Sequence, residues 1–184
     1  MEIYPIDKMR YTFYFFLLMI VLSGCTQNSQ SDSTDPTILI AEYGLTYEVP
    51  FPQRSIIAPK DNLTDDITLC VVDTNNNVAT FLLVLPKIPE DSLQADNVVK
   101  LICTQNIPEY RTSSIGKINE CTFLDYPAWH FENCVTVKSD EDSLQVMFQG
   151  YIFKNLALVV TNKVEDSDKT IDVKPYINGL KKNS

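Results

Sequence analysis

Apolar positions along this chain repeat first with no gap, then with a period of two, then with a helical period, then with two again. The switches divide it into elements. Tyr11 to Leu22 is an uncharged, aromatic-rich apolar run of a dozen residues, the length of a signal-peptide core and too short to cross a bilayer. Ile38 to Val49 mixes apolar and aromatic residues around Gly44 and stops at Pro50-Phe51-Pro52, which predicts a first strand and then an irregular loop to about Asp66. Ile67 to Val72 and Val78 to Leu85 are β-branched and apolar, and Asp73-Thr74-Asn75-Asn76-Asn77 between them suits a hairpin turn. Phe81 to Leu85 shows no polar alternation, so that strand is expected inside the sheet with both faces covered.

Pro86 and Pro89 end the strand, and Asp91 with Gln94 three residues later forms a variant capping box that starts a helix. Ala95, Val98, Val99, Ile102 and Cys103 make its apolar stripe, and Pro108 marks its limit. The period then returns to two over Ile115 to Phe123, Trp129 to Lys138, Leu144 to Phe153 and Leu156 to Lys163. Asp125-Tyr126-Pro127-Ala128, Ser139-Asp140-Glu141-Asp142 and Lys154-Asn155 are short turn-like links, which makes these strands antiparallel. A short helix within Asp168 to Lys181 closes the chain. The expected class is α+β: an antiparallel sheet of about six or seven strands, with a central and a C-terminal helix packed on it.

Tyr43 to Pro50, the central helix, Ile118 to Phe131 around Tyr126-Pro127-Ala128, Gln145 to Phe153 and Pro175 to Leu180 together resemble the PsbP-like fold. Extrinsic photosystem proteins, a small Ran-binding nuclear transport factor and DcrB-like bacterial envelope lipoproteins share that fold. The resemblance implies a non-catalytic accessory or binding protein. It carries no functional residue onto a matching position here.

Leu22-Ser23-Gly24-Cys25 closes the apolar run and is similar to the lipobox of bacterial lipoproteins. That implies cleavage between Gly24 and Cys25, a thioether-linked diacylglycerol on Cys25 and usually a further acyl chain on its amine. Each buried methylene contributes roughly 0.8 kcal/mol, so two or three chains hold a protein firmly on its membrane. The flank of the apolar core carries Lys8 and Arg10 but also Glu2 and Asp7, whereas a start at Met9 leaves it net positive. Met9 is therefore the expected initiator. Thr26 after the cysteine is not the aspartate that favours inner-membrane retention, which points to the outer membrane of a Gram-negative envelope. Thr26 to Thr37 is polar and suited to a tether on the order of 20 Å long. Three segments result: residues 1–24 as signal peptide, 25–37 as lipidated cysteine and tether, and 38–184 as one α+β domain.

The formal charge of −9 is unchanged once residues 1–24 are removed. It disfavours nucleic acid and electrostatic adhesion to anionic lipid, so the membrane contact is expected to be covalent. Cys70, Cys103, Cys121 and Cys134 are an even set in an exported chain, and three pairings are open. Cys121 with Cys134 across a hairpin and Cys70 with Cys103 between sheet and helix are the candidates, against free buried thiols. One histidine and no close Cys-x-x-Cys pair leave no metal site, and no cofactor is expected. Tyr126, Trp129 and His130 form a candidate partner-contact patch, alternatively the anchor of a hairpin. His130 with nearby Asp125 is the one general-base candidate, and no activated nucleophile accompanies it. Asp140-Glu141-Asp142 and Glu165-Asp166-Ser167-Asp168 lack calcium-loop spacing and read as solvated turns. The expected function is a lipid-anchored, non-enzymatic envelope protein that binds another protein. A lipoprotein holding a small ligand between sheet and helix is the alternative, and a hydrolase around His130 a further one.

Overall fold

The structure, a computed structural model, describes residues 37–104, 116, 118–138, 143–164 and 171–183. Cys25, Gly24, the apolar run, most of the tether and both acidic turns lie outside the described residues. The elements are β1 (Thr37–Ile40), β2 (Leu45–Glu48), β3 (Ser55–Ile57), β4 (Ile67–Asp73), β5 (Val78–Val84), α1 (Ser92–Thr104), β6 (Ile118–Phe123), β7 (Tyr126–Lys138), β8 (Ser143–Phe153), β9 (Leu156–Val164), α2 (Lys174–Asn178) and β10 (Leu180–Lys182).

A seven-stranded sheet in the order β3-β4-β5-β9-β8-β7-β6 is antiparallel at every pairing. The α+β class is as the periodicity predicts. β5 lies inside that sheet, between β4 and β9, as its unbroken apolar run requires. One face carries α1, whose Val99, Ile102 and Cys103 join Phe81, Phe131, Phe148 and Val159 in a buried cluster. Gln94 N donates to Asp91 Oδ1 at 2.8 Å, and Glu90 N, one residue before that cap, donates to Gln94 Oε1 at 3.3 Å, so a variant of the capping box forms at the helix start.

The other face carries something the periodicity does not announce: a second sheet, β1-β2-β10. Leu45, Tyr47 and Leu180 from it pack on Leu69, Leu82, Leu156 and Leu158. The single strand expected over Ile38 to Val49 is a hairpin instead. Gly44 sits at φ +64°, closing a short 3-10 turn through Gly44 N to Ala41 O at 3.1 Å, and the chain reverses there. The expected loop before Asp66 contains β3, and the expected closing helix is a single turn followed by β10, which pairs with β2. In each case backbone donors at a sheet edge are satisfied by a short segment whose pattern is too brief to read.

The two ends of the large sheet differ. At one, Asp73 is 1% exposed and its carboxylate accepts from Arg54 Nε (2.9 Å), Tyr176 Oη (2.6 Å), Asn76 Nδ2 (3.3 Å) and the backbone N of Asn75 and Asn76 (3.0 and 3.3 Å). This lock ties β3, the β4–β5 turn and α2 together. Thr37, opposite Glu48, lies toward the same end, since Tyr47 Oη reaches Thr80 at 3.4 Å and the Tyr176 carbonyl at 3.1 Å. At the opposite end are the β6–β7 turn, the β8–β9 turn and the segment from Pro86 to Glu90. Lys182, opposite Leu45, marks it by bonding Asp125 at 3.0 Å.

Candidate functional site

At that second end a cleft of about 330 Å³ opens beyond the start of α1. Its floor follows from strand register: Glu120 on β6 pairs with Trp129 on β7, which pairs with Ile152 on β8, so three side chains lie in one row across the sheet. The opposite wall is Ile88, Pro89 and Glu90, held by the prolines and the capping box ahead of α1. Ile88 is 52% exposed although large and apolar. Glu90 carries an exposed ion pair with Lys87 at 2.9 Å. Lys154 also borders the cleft, with its ammonium 4.6 Å above the Tyr126 ring.

Consecutive residues of a strand face opposite ways, and this divides the expected patch of Tyr126, Trp129 and His130. Trp129 packs against the α1-side cluster and lines the cleft. Tyr126 belongs to the cluster under the small sheet, stacked against Phe153 at 6.4 Å and covered by Lys182 at 4.4 Å. His130 lies on Tyr151, ring centroids 4.9 Å apart. Tyr126 and His130 therefore anchor the meander, and the cleft keeps only Trp129 of the three. Asp125 is about 15 Å from His130 along the strand and is engaged by Lys182. The two do not form an acid–base pair.

The cysteines also separate. Cys121 pairs with Ala128 in the ladder and Cys134 with Met147, six residues farther along β7, so the expected cross-hairpin disulfide is about 20 Å from closing. Cys70 and Cys103 do both lie in the layer between sheet and helix, but all four described cysteines are free thiols. Burial pushes the Cys70 thiol from 9.0 up to about 12. Burial raises Cys103 to about 11, partly opposed by the amide of Asn133, which donates to its sulfur at 3.4 Å. Among the described residues no group of three or more metal-ligating side chains converges, and no helix is long and apolar enough to cross a membrane.

These shifts make a chemical expectation. At neutral pH a soluble alkylating reagent should label Cys121 and Cys134, which are partly exposed, before Cys70 and Cys103, with peptide mass mapping as readout. Early labelling of Cys70 would contradict the packing. The sign for stability follows from the same groups. Cys70, Cys103 and Tyr47, the last raised by burial from 10.0 to about 12, all keep their protons longer when folded. Their contribution is complete below about pH 9 and is lost as pH rises toward 12. The urea midpoint should therefore fall steadily above pH 9, and a flat profile to pH 11 would contradict it.

Pattern alone does not single out Ile88, Glu120 and Lys154, which line the cleft with Trp129. Glu120 alone had a local signal, as the polar member of an alternating strand, but its neighbour is set by the register of a turn. No protein-family model matches the chain, and no curated protein matches it. Among solved structures, it is similar to the solution structure of cyanobacterial PsbP from Synechocystis sp. PCC 6803, at 8% identity over 85% of this chain and 98% of that one, with a TM-score of 0.49.

Proposed function

We propose that this chain is a lipid-anchored protein of the bacterial envelope whose α+β domain is a non-catalytic module for binding a protein partner. The observation that carries the reading is the cleft at the end of the sheet opposite the one where Thr37 enters it. With Cys25 held by acyl chains and a polar tether leading to Thr37, the end bearing Trp129 lies away from the point of attachment. The chain's formal charge of −9 gives it nothing to gain from the lipid surface itself and favours a basic partner. The cleft's volume lies near the lower limit for small-ligand sites, which keeps ligand capture as the second reading.

Two measurements test it. Cys25→Ser should abolish incorporation of labelled palmitate and move the protein from the membrane pellet to the soluble fraction. Continued sedimentation with membranes would refute the anchor. Crosslinking in native membranes followed by enrichment should return a discrete partner with the wild-type chain and not with a variant whose cleft is filled by Glu120→Trp, an exposed position on the same face as Trp129. Identical recovery from both would refute the cleft as the binding surface.

A further inference from the structure

We infer that the cleft takes a cationic side chain, a guanidinium or ammonium, presented by a basic segment of the protein partner. This deepens the reading just given and rests on it. Glu120, Trp129 and Ile152 stand in one row across the sheet. Directly paired residues on one face hold their Cβ atoms roughly 5 Å apart, so a carboxylate stands beside an indole, and both line the same cleft. A planar cation placed there meets the ring's negative face and the carboxylate together, two attractions that a neutral ligand lacks. Ile88 on the wall, half exposed, contacts the methylene stem that such side chains bury behind their charged heads.

Charge over the rest of the site agrees. The cleft has two carboxylates, Glu90 and Glu120, against the single ammonium of Lys154, which is drawn onto the Tyr126 ring. Lys87 pairs with Glu90, so Glu120 supplies the principal charge. A formal charge of −9 on the chain adds long-range attraction for a basic segment and repulsion for an acidic one. At the rim, Ile88, 52% exposed, gives the apolar border that protein interfaces use to exclude water around a charged contact. An enclosed site for a whole small molecule would not leave this side chain in solvent.

Trp129 is the chain's single tryptophan, so its fluorescence reports the cleft alone. The full chain in neutral detergent is titrated with a short blocked peptide of alternating alanine and arginine, with the same peptide carrying citrulline in place of arginine, and with maltohexaose. The arginine peptide should change the emission saturably, with the citrulline peptide weaker by about tenfold or more. Glu120→Gln should lose about tenfold in affinity for the arginine peptide at an unchanged urea midpoint. Trp129→Leu, followed by calorimetry, should weaken it comparably. No response to the arginine peptide, an equal response to citrulline, full affinity in Glu120→Gln, or a response to maltohexaose alone would each overturn the inference. If the peptide fails while crosslinking still enriches a partner, only the cationic specificity falls. If both fail, the binding-module reading falls with it.

Discussion

Replacing Asp73 with alanine is expected to lower the unfolding free energy by about 3 kcal/mol or more, the loss typical of breaking one side of a buried ion pair. The carboxylate is essentially inaccessible and accepts five hydrogen bonds. Alanine leaves the Tyr176 hydroxyl, the Asn76 amide and two backbone N–H groups without their acceptor, each at the cost of desolvation. Arg54 is the partner that water relieves, because its side chain is 30% exposed. Its guanidinium also lies over the Phe51 ring at 3.9 Å, and Phe51 meets Tyr176 edge to face at 5.6 Å. The loss should therefore spread to α2 and β10, seen as faster amide exchange at the β2–β10 ladder. Tyr176→Phe removes one donor, and a double-mutant cycle with Asp73→Ala should show coupling of about 1 kcal/mol or more. A urea midpoint for Asp73→Ala close to wild type would mean that the lock contributes nothing.

Gly150→Ala should be the costliest single-methyl addition in the large sheet. Gly150 lies in β8 between Phe131 on β7 and Val159 on β9. A Cβ there would stand 1.8 Å from the Leu158 carbonyl oxygen and 3.2 Å from the tip of the Phe131 ring. The glycine is needed for space: its φ is not in the left-handed region. Relief requires the β8–β9 ladder to part, so a cost of about 3 kcal/mol, at the upper end for overpacking, is expected. Adding Phe131→Leu should not restore stability, because the closer obstacle is backbone. Recovery in that double variant would show that the ring, not the ladder, sets the limit.

Both sites illustrate what local patterning leaves open. Asp73 appears in the sequence as the first residue of a polar turn, and the turn is where expected. That its carboxylate is buried follows from Arg54 and Tyr176, 19 and 103 residues away. Gly150 is one glycine in an alternating strand, and nothing in β8 itself shows that a neighbouring carbonyl approaches so closely.

The cleft has the same origin. The expected turn at Asp125 to Ala128 is instead the pair Leu124 and Asp125, at φ 50° and 60°, with Tyr126 already in the strand. A leucine in a left-handed position carries no turn signature, since glycine and asparagine dominate such positions. That turn places Glu120 opposite Trp129 and Cys121 opposite Ala128, setting up the cleft and separating Cys121 from Cys134. One change in register moves every cross-strand partner on the hairpin.

By itself the sequence determined the elements with sustained periods: the inner strand, expected to run to Leu85 and found over Val78–Val84, the capped helix with its Ala95 to Cys103 stripe, and the antiparallel meander, expected from Ile115 to Lys163 and found from Ile118 to Val164. Hydrophobic periodicity and capping are local, so they survive without knowledge of the rest of the chain. Tertiary structure decided the three-stranded sheet, the division of Tyr126, Trp129 and His130 between two faces, the four free thiols and the cleft. β1, β3 and β10 run for three or four residues each; β1 pairs with its hairpin neighbour β2, but β3 and β10 are stable only because partners farther away along the chain, β4 and β2, complete their hydrogen bonds. Which side chains meet across strands is a matter of register, and here register rests on a leucine at positive φ that no local preference announces.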